Sequence, residues 1–255
     1  MIVLFTDFGL GGPYLGQVKA VLHVDAPNVA VIDLFSDAPA HDPKASSYLL
    51  GAYCEGFPDA SVFLAVVDPG VGGERRALVI RAGKYWYVGP DNGLAEILIR
   101  RQETETEMEN SIDVWEIIWK PDRCAASFHG RDIFAPIAAR IACGEDPDAG
   151  TGCFRRLEPS LIRRSDWPDD LPEIVYIDHF GNAMTGVRSG SLEAGQSLAI
   201  DGISLKQVET FTDVPPGDMF CYGNANGLME IAVNQERADE KMGLEIGKMI
   251  SINRL

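Results

Sequence analysis

Basic residues are scarce in this chain, and its cysteines and histidines lack the spacings that mark metal sites. Lys plus Arg number 22 against 38 for Asp plus Glu, a formal charge of −16. A surface of that sign repels phosphate backbones and anionic membranes, so neither nucleic acid nor a membrane is an expected partner. The same charge suits a cationic small molecule, and it equally suits plain solubility. The five cysteines (Cys54, Cys124, Cys143, Cys153, Cys221) are odd in number and form no CxxC pair. A disulfide framework or a cysteine zinc site is therefore not expected. His23, His41, His129 and His179 show neither HxxxH nor HExxH spacing, and no resident metal or cofactor is expected. No apolar run approaches the roughly 18 residues of a membrane span. The opening run Ile2-Val3-Leu4-Phe5 is too short for a signal segment and has no basic flank, which makes a reducing cytoplasm the expected setting. Internal repeats and low-complexity tracts are also missing.

What remains is 255 residues of ordinary globular composition, enough for one large domain or two modest ones. Ile2 to Phe5, Val29 to Leu34 and Val62 to Val67 read as strands. Between them, Tyr14 to Val24 carries apolar residues at helical spacing. Asp42-Pro43 caps a second helix that Gly56 ends. Such alternation predicts an α/β domain with a mostly parallel central sheet. Leu78 to Ile80 and Tyr85 to Val88 flank Ala82-Gly83 as a hairpin, Val114 to Trp119 is a further strand, and Ile133 to Cys143 is a helix stopped at Gly144. The composition turns to Gly, Pro, Asp and Arg from 144 to 172. This places a first domain at 1–160, a linker at 161–172 and a second domain at 173–255. The second domain reads as small, all-β and barrel-like. Its strands are Ile174 to Ile177, Ser197 to Ile200, Ile203 to Leu205, Phe220 to Tyr222, Glu230 to Val233 and Met249 to Ile252.

Polar clusters sit at the ends of four of these elements. They are Asp7 with Gly9, Gly11 and Gly12; Asp68-Pro69-Gly70 through Arg75-Arg76; Phe128-His129-Gly130-Arg131-Asp132; and Asp178-His179-Phe180-Gly181-Asn182. Ligands of open α/β sheets bind beyond the carboxyl ends of the strands, where the first two clusters would share a crevice. Each cluster alone is equally good turn or helix-end chemistry. Four together point to a site. Two motif matches fail. Asp7-Phe8-Gly9 spells the kinase metal-binding tripeptide but has no kinase elements before it. Gly9-Leu10-Gly11-Gly12 lacks the spacing of a dinucleotide loop, and no P-loop occurs.

Taken in order, these motifs form a pattern. It runs through Thr6-Asp7-Phe8-Gly9, Val66-Val67-Asp68-Pro69-Gly70-Val71-Gly72, Gly89-Pro90-Asp91-Asn92-Gly93, Phe128 to Pro136, and Asp178 to Asn182. The chain resembles the S-adenosyl-L-methionine hydroxide adenosyltransferase family, related to the fluorinase and chlorinase, from residue 6 to about residue 235. The resemblance implies hydrolysis of S-adenosyl-L-methionine to adenosine and L-methionine, with the methionine derivative as substrate rather than cofactor. It also implies a homotrimer with sites between subunits. By motif, the water-activating residues fall on Asp68, Arg75 and His129. Substrate contacts fall on Asp7 (ribose hydroxyls), Phe128 and Gly130 (pocket wall), Asp178 (methionine ammonium), Asn182 (adenine edge), Phe211 (adenine stacking), and Asn226 and Gln235 (methionine and adenine). Halogenating relatives lack the Asp–Arg–His set and carry an insertion before the PDNG turn, for which Arg81 to Pro90 is too short.

The chain departs from the family pattern at Thr185-Gly186, where Thr-Asn is common, at Ala225 in Asn224-Ala225-Asn226-Gly227, and at Ser36 in place of a histidine. Three other readings share these residues: a halide-using enzyme on the same scaffold, a non-catalytic adenosine or S-adenosylmethionine binder, and a hydrolase with a metal held by Asp7, Asp68 and His129.

Overall fold

The computed structural model describes residues 1–104 and 112–254. They form two compact units, Met1–Arg164 and Ser165–Leu255.

The first unit is built on a seven-stranded sheet. In chain order its elements are β1 (Ile2–Thr6), α1 (Tyr14–Asp25), β2 (Val31–Phe35), α2 (Pro43–Tyr53), β3 (Val62–Val66), β4 (Ala77–Ala82), β5 (Tyr85–Pro90), α3 (Glu96–Thr104), β6 (Asp113–Ile117), α4 (Ala135–Ala142) and β7 (Phe154–Leu157). The strands lie in the order β2-β1-β3-β5-β4-β6-β7. β1 and β3 are buried on both faces, as their unbroken apolar runs require. α2 starts where expected: Asp42 Oδ1 accepts the Ala45 N–H at 2.9 Å and Pro43 takes the first turn.

The expectation of a mostly parallel sheet needs correction. β1–β2, β1–β3 and β3–β5 are parallel, but β4–β5, β4–β6 and β6–β7 are antiparallel, so the sheet is mixed. The cause is the β4–β5 hairpin. It lays β5 beside β3 in parallel, and β4 then turns the rest of the sheet antiparallel. Helices cover both faces. Val18 and Leu22 of α1 pack with Ile137 and Ile141 of α4 on Ile2, Leu4, Val62 and Leu64. On the other face, rings from Phe5, Phe35 and Tyr53 interlock, as do those of Phe63 and Tyr85. α2 and α3 cross so closely that a Cβ at Gly51 would lie 2.5 Å from the Ile97 side chain.

The second unit contains β8 (Leu171–Ile177), β9 (Ala183–Arg188), β10 (Gln196–Ile200), β11 (Ile203–Ser204), β12 (Lys206–Gln207), β13 (Met219–Gly223), β14 (Leu228–Val233), α5 (Ala238–Met242) and β15 (Ser251–Arg254). It is mostly β, as expected. Its strands form a five-stranded sheet, β12-β13-β14-β9-β8, and a three-stranded one, β11-β10-β15. Among the described residues no strand pairing closes either sheet into a barrel. β9 was not foreseen. Ala183 and Gly186 interrupt the strand signal of Thr185 and Val187, but the stretch lies between β8 and β14 and is buried from both sides.

Candidate active site

β1 and β3 are parallel neighbours, and Thr6 pairs with Val66 in register. Asp7 directly after β1, and Asp68 two residues after the end of β3, therefore emerge close together at the carboxyl edge of the sheet, where both line one recess. The spatial order β2-β1-β3 makes this edge the point where successive connections leave in opposite directions, the usual crevice of such sheets. Gly72 lets the loop after β3 turn back: its φ is +80°, and a Cβ there would fall 2.6 Å from the Ala126 carbonyl oxygen.

That loop brings Arg75 onto Asp68. Arg75 Nε donates to Asp68 Oδ2 at 2.9 Å and Oδ1 at 3.1 Å, and Nη2 donates to Oδ2 at 2.5 Å. The side chains are 11 % and 4 % exposed, so this is a buried, forked ion pair. Phe134 lies under the guanidinium, 5.0 Å from its centroid. Arg75 Nη2 also reaches His129 Nδ1 at 2.9 Å. His129 stands just before a π-helical turn, Gly130–Phe134, that leads into α4, and such turns are frequent at functional sites.

The chemistry of this set follows from the donor inventory. A guanidinium only donates and keeps its charge. His129 Nδ1 must then be the acceptor, which leaves the ring neutral with its proton on Nε2. Burial pushes the His129 pKa down, and the Arg75 charge pushes it further; Asp68 opposes this. Imidazolium is disfavoured for the same reason that Nδ1 accepts.

Asp68 and His129 line a recess together with Asp7, Phe8, His41 and Phe128. A wider cleft next to it shares Asp7, Phe8, His41 and Phe128 and adds Tyr14 and Arg131. Phe8, Tyr14 and Phe128 meet with centroids 5.4–6.0 Å apart. Gly130 lies against this cluster, where a Cβ would come within 2.9 Å of Phe8. Arg131 pairs with its neighbour Asp132, whose Oδ2 accepts the Ala125 N–H; both serve the helix entry. Among the described residues no group of three or more His, Cys, Asp or Glu could hold a metal ion, and no helix is long and apolar enough to cross a membrane.

His41 was missed by the sequence reading. It lines both recesses, its N–H donates to Asp7 Oδ2 at 3.1 Å, and its φ is +60°. A non-glycine residue in that conformation leaves no mark in composition or spacing.

In the second unit, the Asp178–Asn182 turn is stitched by its own carboxylate. Asp178 Oδ1 accepts the Phe180 and Asn182 N–H groups, both at 2.9 Å, and Oδ2 accepts Asn182 Nδ2 at 3.2 Å. Asn182 also bonds the buried Glu230, which accepts from Tyr222 Oη at 2.5 Å and Asn224 Nδ2 at 3.0 Å. With its amide N–H groups turned to two carboxylates, Asn182 keeps Oδ1 to accept from a donor. Burial raises the Glu230 pKa, Asp178 adds to this, and the three donors oppose it.

The remaining candidates are more scattered. Phe211 sits in a 3₁₀ turn with its ring 5.0 Å from Phe220 and 5.4 Å from Tyr222. Asn226 is exposed in a turn built by Asn224, whose Oδ1 accepts the N–H of Asn226 and Leu228. The turn therefore does not depend on the residue at Ala225. Gln235 is exposed with φ +64°. The departure at Gly186 has a packing reason: a Cβ there would lie 2.6 Å from Leu171 Cβ.

The first unit thus carries a carboxylate, a guanidinium and an imidazole together at the carboxyl edge of a mixed sheet, and the second unit is mostly β. Residues 2–150 match the SAM hydroxide adenosyltransferase N-terminal domain and residues 172–251 match the C-terminal domain of the same family. The chain belongs to the SAM hydroxide adenosyltransferase family. It is 36 % identical to the (R)-S-adenosyl-L-methionine hydrolase of Thermus thermophilus, covering 98 % of each chain. The fluorinase of Actinopolyspora mzabensis is more distant, at 26 % identity over 100 % of this chain and 97 % of that one. The fold matches a solved structure of a conserved protein from Thermotoga maritima with a TM-score of 0.84 and 27 % identity, covering all of both chains.

Proposed function

We propose that this protein hydrolyses S-adenosyl-L-methionine to adenosine and L-methionine by in-line attack of water on the ribose 5′ carbon. The observation that carries this reading is the Asp68–Arg75–His129 set opening onto an aromatic-walled recess. The sulfonium leaves as a neutral thioether, so no acid is required at sulfur. The site has to supply alignment, worth roughly 7–11 kcal/mol in favourable cases, and a proton acceptor for the attacking water.

The hydrogen-bond pattern divides the labour between the two recess-lining groups. His129 has no free acceptor, because Nδ1 receives the Arg75 N–H, so its Nε2–H donates to the water oxygen and orients it. Asp68 has carboxylate lone pairs beyond those used by Arg75 and takes the proton. Arg75 is the shared support that orients Asp68 through the forked contact and holds His129 in the donating tautomer. The aromatic cluster excludes competing water from the reacting carbon.

In this reading Asp7 holds the ribose hydroxyls, and Phe128 and Gly130 form the wall near the 5′ carbon. Asp178 meets the methionine ammonium, Asn182 accepts from the adenine edge, Phe211 stacks on the base, and Asn226 and Gln235 contact methionine and adenine. No cofactor takes part. The protein is a cytoplasmic homotrimer in which a neighbouring subunit supplies the C-terminal-domain residues; light scattering at enzyme concentrations used for turnover tests this.

The activity test is chromatographic. Purified protein with S-adenosylmethionine should release adenosine and methionine in equal amounts, unchanged by a chelator and without 5′-chloro-5′-deoxyadenosine at high chloride. Tight binding without turnover would identify a sensor instead, and halogenated nucleoside would identify a halide-using enzyme.

A further inference from the structure

The Gly89-Pro90-Asp91-Asn92-Gly93 turn has no part in the mechanism above, yet it bonds both ends of the loop that carries Asp68 and Arg75. At the loop's start, Asn92 Nδ2 donates to the Val67 carbonyl oxygen at 2.8 Å, one residue before Asp68. At its end, the Asp91 N–H donates to the Arg76 carbonyl oxygen at 3.0 Å, one residue after Arg75, and Arg76 Nε donates to Asp91 Oδ2 at 2.7 Å. Asp91 is 8 % exposed as a side chain.

The turn is itself held from beneath. Tyr87 is fully buried and its Oη donates to the Pro90 carbonyl oxygen at 3.1 Å. Burial, and after it the charges of Asp68 and Asp91, raise the Tyr87 pKa well above its ordinary value, so the hydroxyl stays a donor. Gly89 admits this fit, since a Cβ there would lie 2.2 Å from the Ala65 carbonyl oxygen and 2.5 Å from Tyr87 Oη. Asn92 Oδ1 is occupied too, accepting the Leu94 N–H at 3.2 Å. Its amide thus joins two jobs: Oδ1 shapes the turn, and Nδ2 grips the strand end that presents Asp68.

We infer that this turn is a clamp that sets the distance between Asp68 and Arg75, with Asn92 as a positioning residue for water activation. The inference rests on the function proposed above for those two residues. The loop between Val67 and Arg76 contains three glycines, Gly70, Gly72 and Gly73; two turn hydrogen bonds, Val71 N–H to the Asp68 carbonyl oxygen at 3.2 Å and Gly73 N–H to the Gly70 carbonyl oxygen at 3.0 Å, shape its interior but do not reach Arg75. Anchors on both flanks supply the further restraint. A misplacement of about 1 Å at a reacting group can cost on the order of 10²-fold in rate.

Two variants separate the clamp from ordinary turn stability. Asn92→Ser keeps an oxygen acceptor for the Leu94 N–H but is too short to reach Val67, and it adds no charge. Asn92→Ala removes both contacts. Expected for both is a fall in kcat of about 10- to 100-fold with KM changed less than about threefold. A second readout does not use activity. The imidazole of His129, faced by Arg75, Asp68, Lys120 and Asp132, is titrated by NMR. As Arg75 loses its fixed place, the His129 midpoint should move up toward its ordinary value in both variants. If Asn92→Ser matches wild type in kcat and in the His129 midpoint, Asn92 only shapes the turn and the clamp is overturned. If Asn92→Ala is too unstable to assay, the serine variant alone decides. Wild-type protein that forms no adenosine would instead overturn the proposed function, while the NMR shift would still report on the clamp.

Discussion

Replacing Asp68 with Asn and, separately, His129 with Asn tests which group receives the proton. In the structure Asp68 is the carboxylate with spare lone pairs, and His129 has its acceptor nitrogen filled by Arg75. Asp68→Asn removes the acceptor. Loss of a general base costs typically 10²- to 10⁴-fold, or about 3–5.5 kcal/mol of barrier at 1.36 kcal/mol per decade. It also leaves Arg75 buried without its counter-charge, and breaking such a pair costs about 3–5 kcal/mol of stability. Melting temperature must therefore be measured alongside kcat, and rates compared well below the transition. His129→Asn still offers an amide oxygen to Arg75 and an N–H to water. Its kcat should fall by about tenfold, at least an order of magnitude less than for Asp68→Asn. The pH profile adds a sign. In wild type the acid limb reflects protonation of His129, whose midpoint lies below the ordinary histidine value, and the limb should disappear in His129→Asn. If that variant is as inactive as Asp68→Asn, His129 is the base and the tautomer argument is wrong; if it keeps the limb, the limb belongs to a group other than His129 and its assignment is wrong. His129→Ala, which offers neither contact, should lower turnover far more than substrate binding.

Other consequences can be checked independently. Glu230 has a raised pKa in the fold, so its contribution to stability is full below the ordinary Glu pKa and is lost as pH rises through the folded value. Urea titrations across pH 4 to 8 should show that slope in wild type and its loss in Glu230→Gln. Glu96 behaves in the opposite sense. Burial would raise its pKa, but Arg100, the Arg164 N–H and Arg163 together lower it. Its stabilisation is therefore present above the ordinary Glu pKa and lost as pH falls through the folded value. Glu96→Gln should destabilise at pH 7 and much less at pH 3, as read by thermal melts. Gly130→Ala would push a methyl into Phe8. It should raise KM or lower kcat by on the order of tenfold while shifting stability by only about 1–3 kcal/mol.

Much of this organisation was legible before any coordinates. Unbroken apolar runs marked β1 and β3, and Asp42-Pro43 marked the start of α2. The polar residues after β1 and β3 implied a shared edge, which the Thr6–Val66 register now places residue by residue. Long-range pairing was not legible. Nothing local in Ala77 to Pro90 says that the hairpin joins the sheet beside β3, and that insertion is what makes the sheet mixed. β9 was hidden because its burial comes from neighbours distant in sequence rather than from its own residues. His41 was hidden because its role depends on a backbone angle. The pairing of Arg75 with both Asp68 and His129 required the resemblance to suggest and the structure to show as contacts. Only the distances then turned an unordered set of three residues into a donor, an acceptor and a support.

The most direct test of water as the nucleophile is isotopic. The protein is incubated with S-adenosylmethionine in ¹⁸O-enriched water, and the products are read by mass spectrometry. Expected is adenosine carrying one ¹⁸O at the 5′ oxygen, together with an equal amount of methionine. No adenosine, adenosine without the label, or a 5′-halogenated nucleoside would contradict water attack at the ribose 5′ carbon.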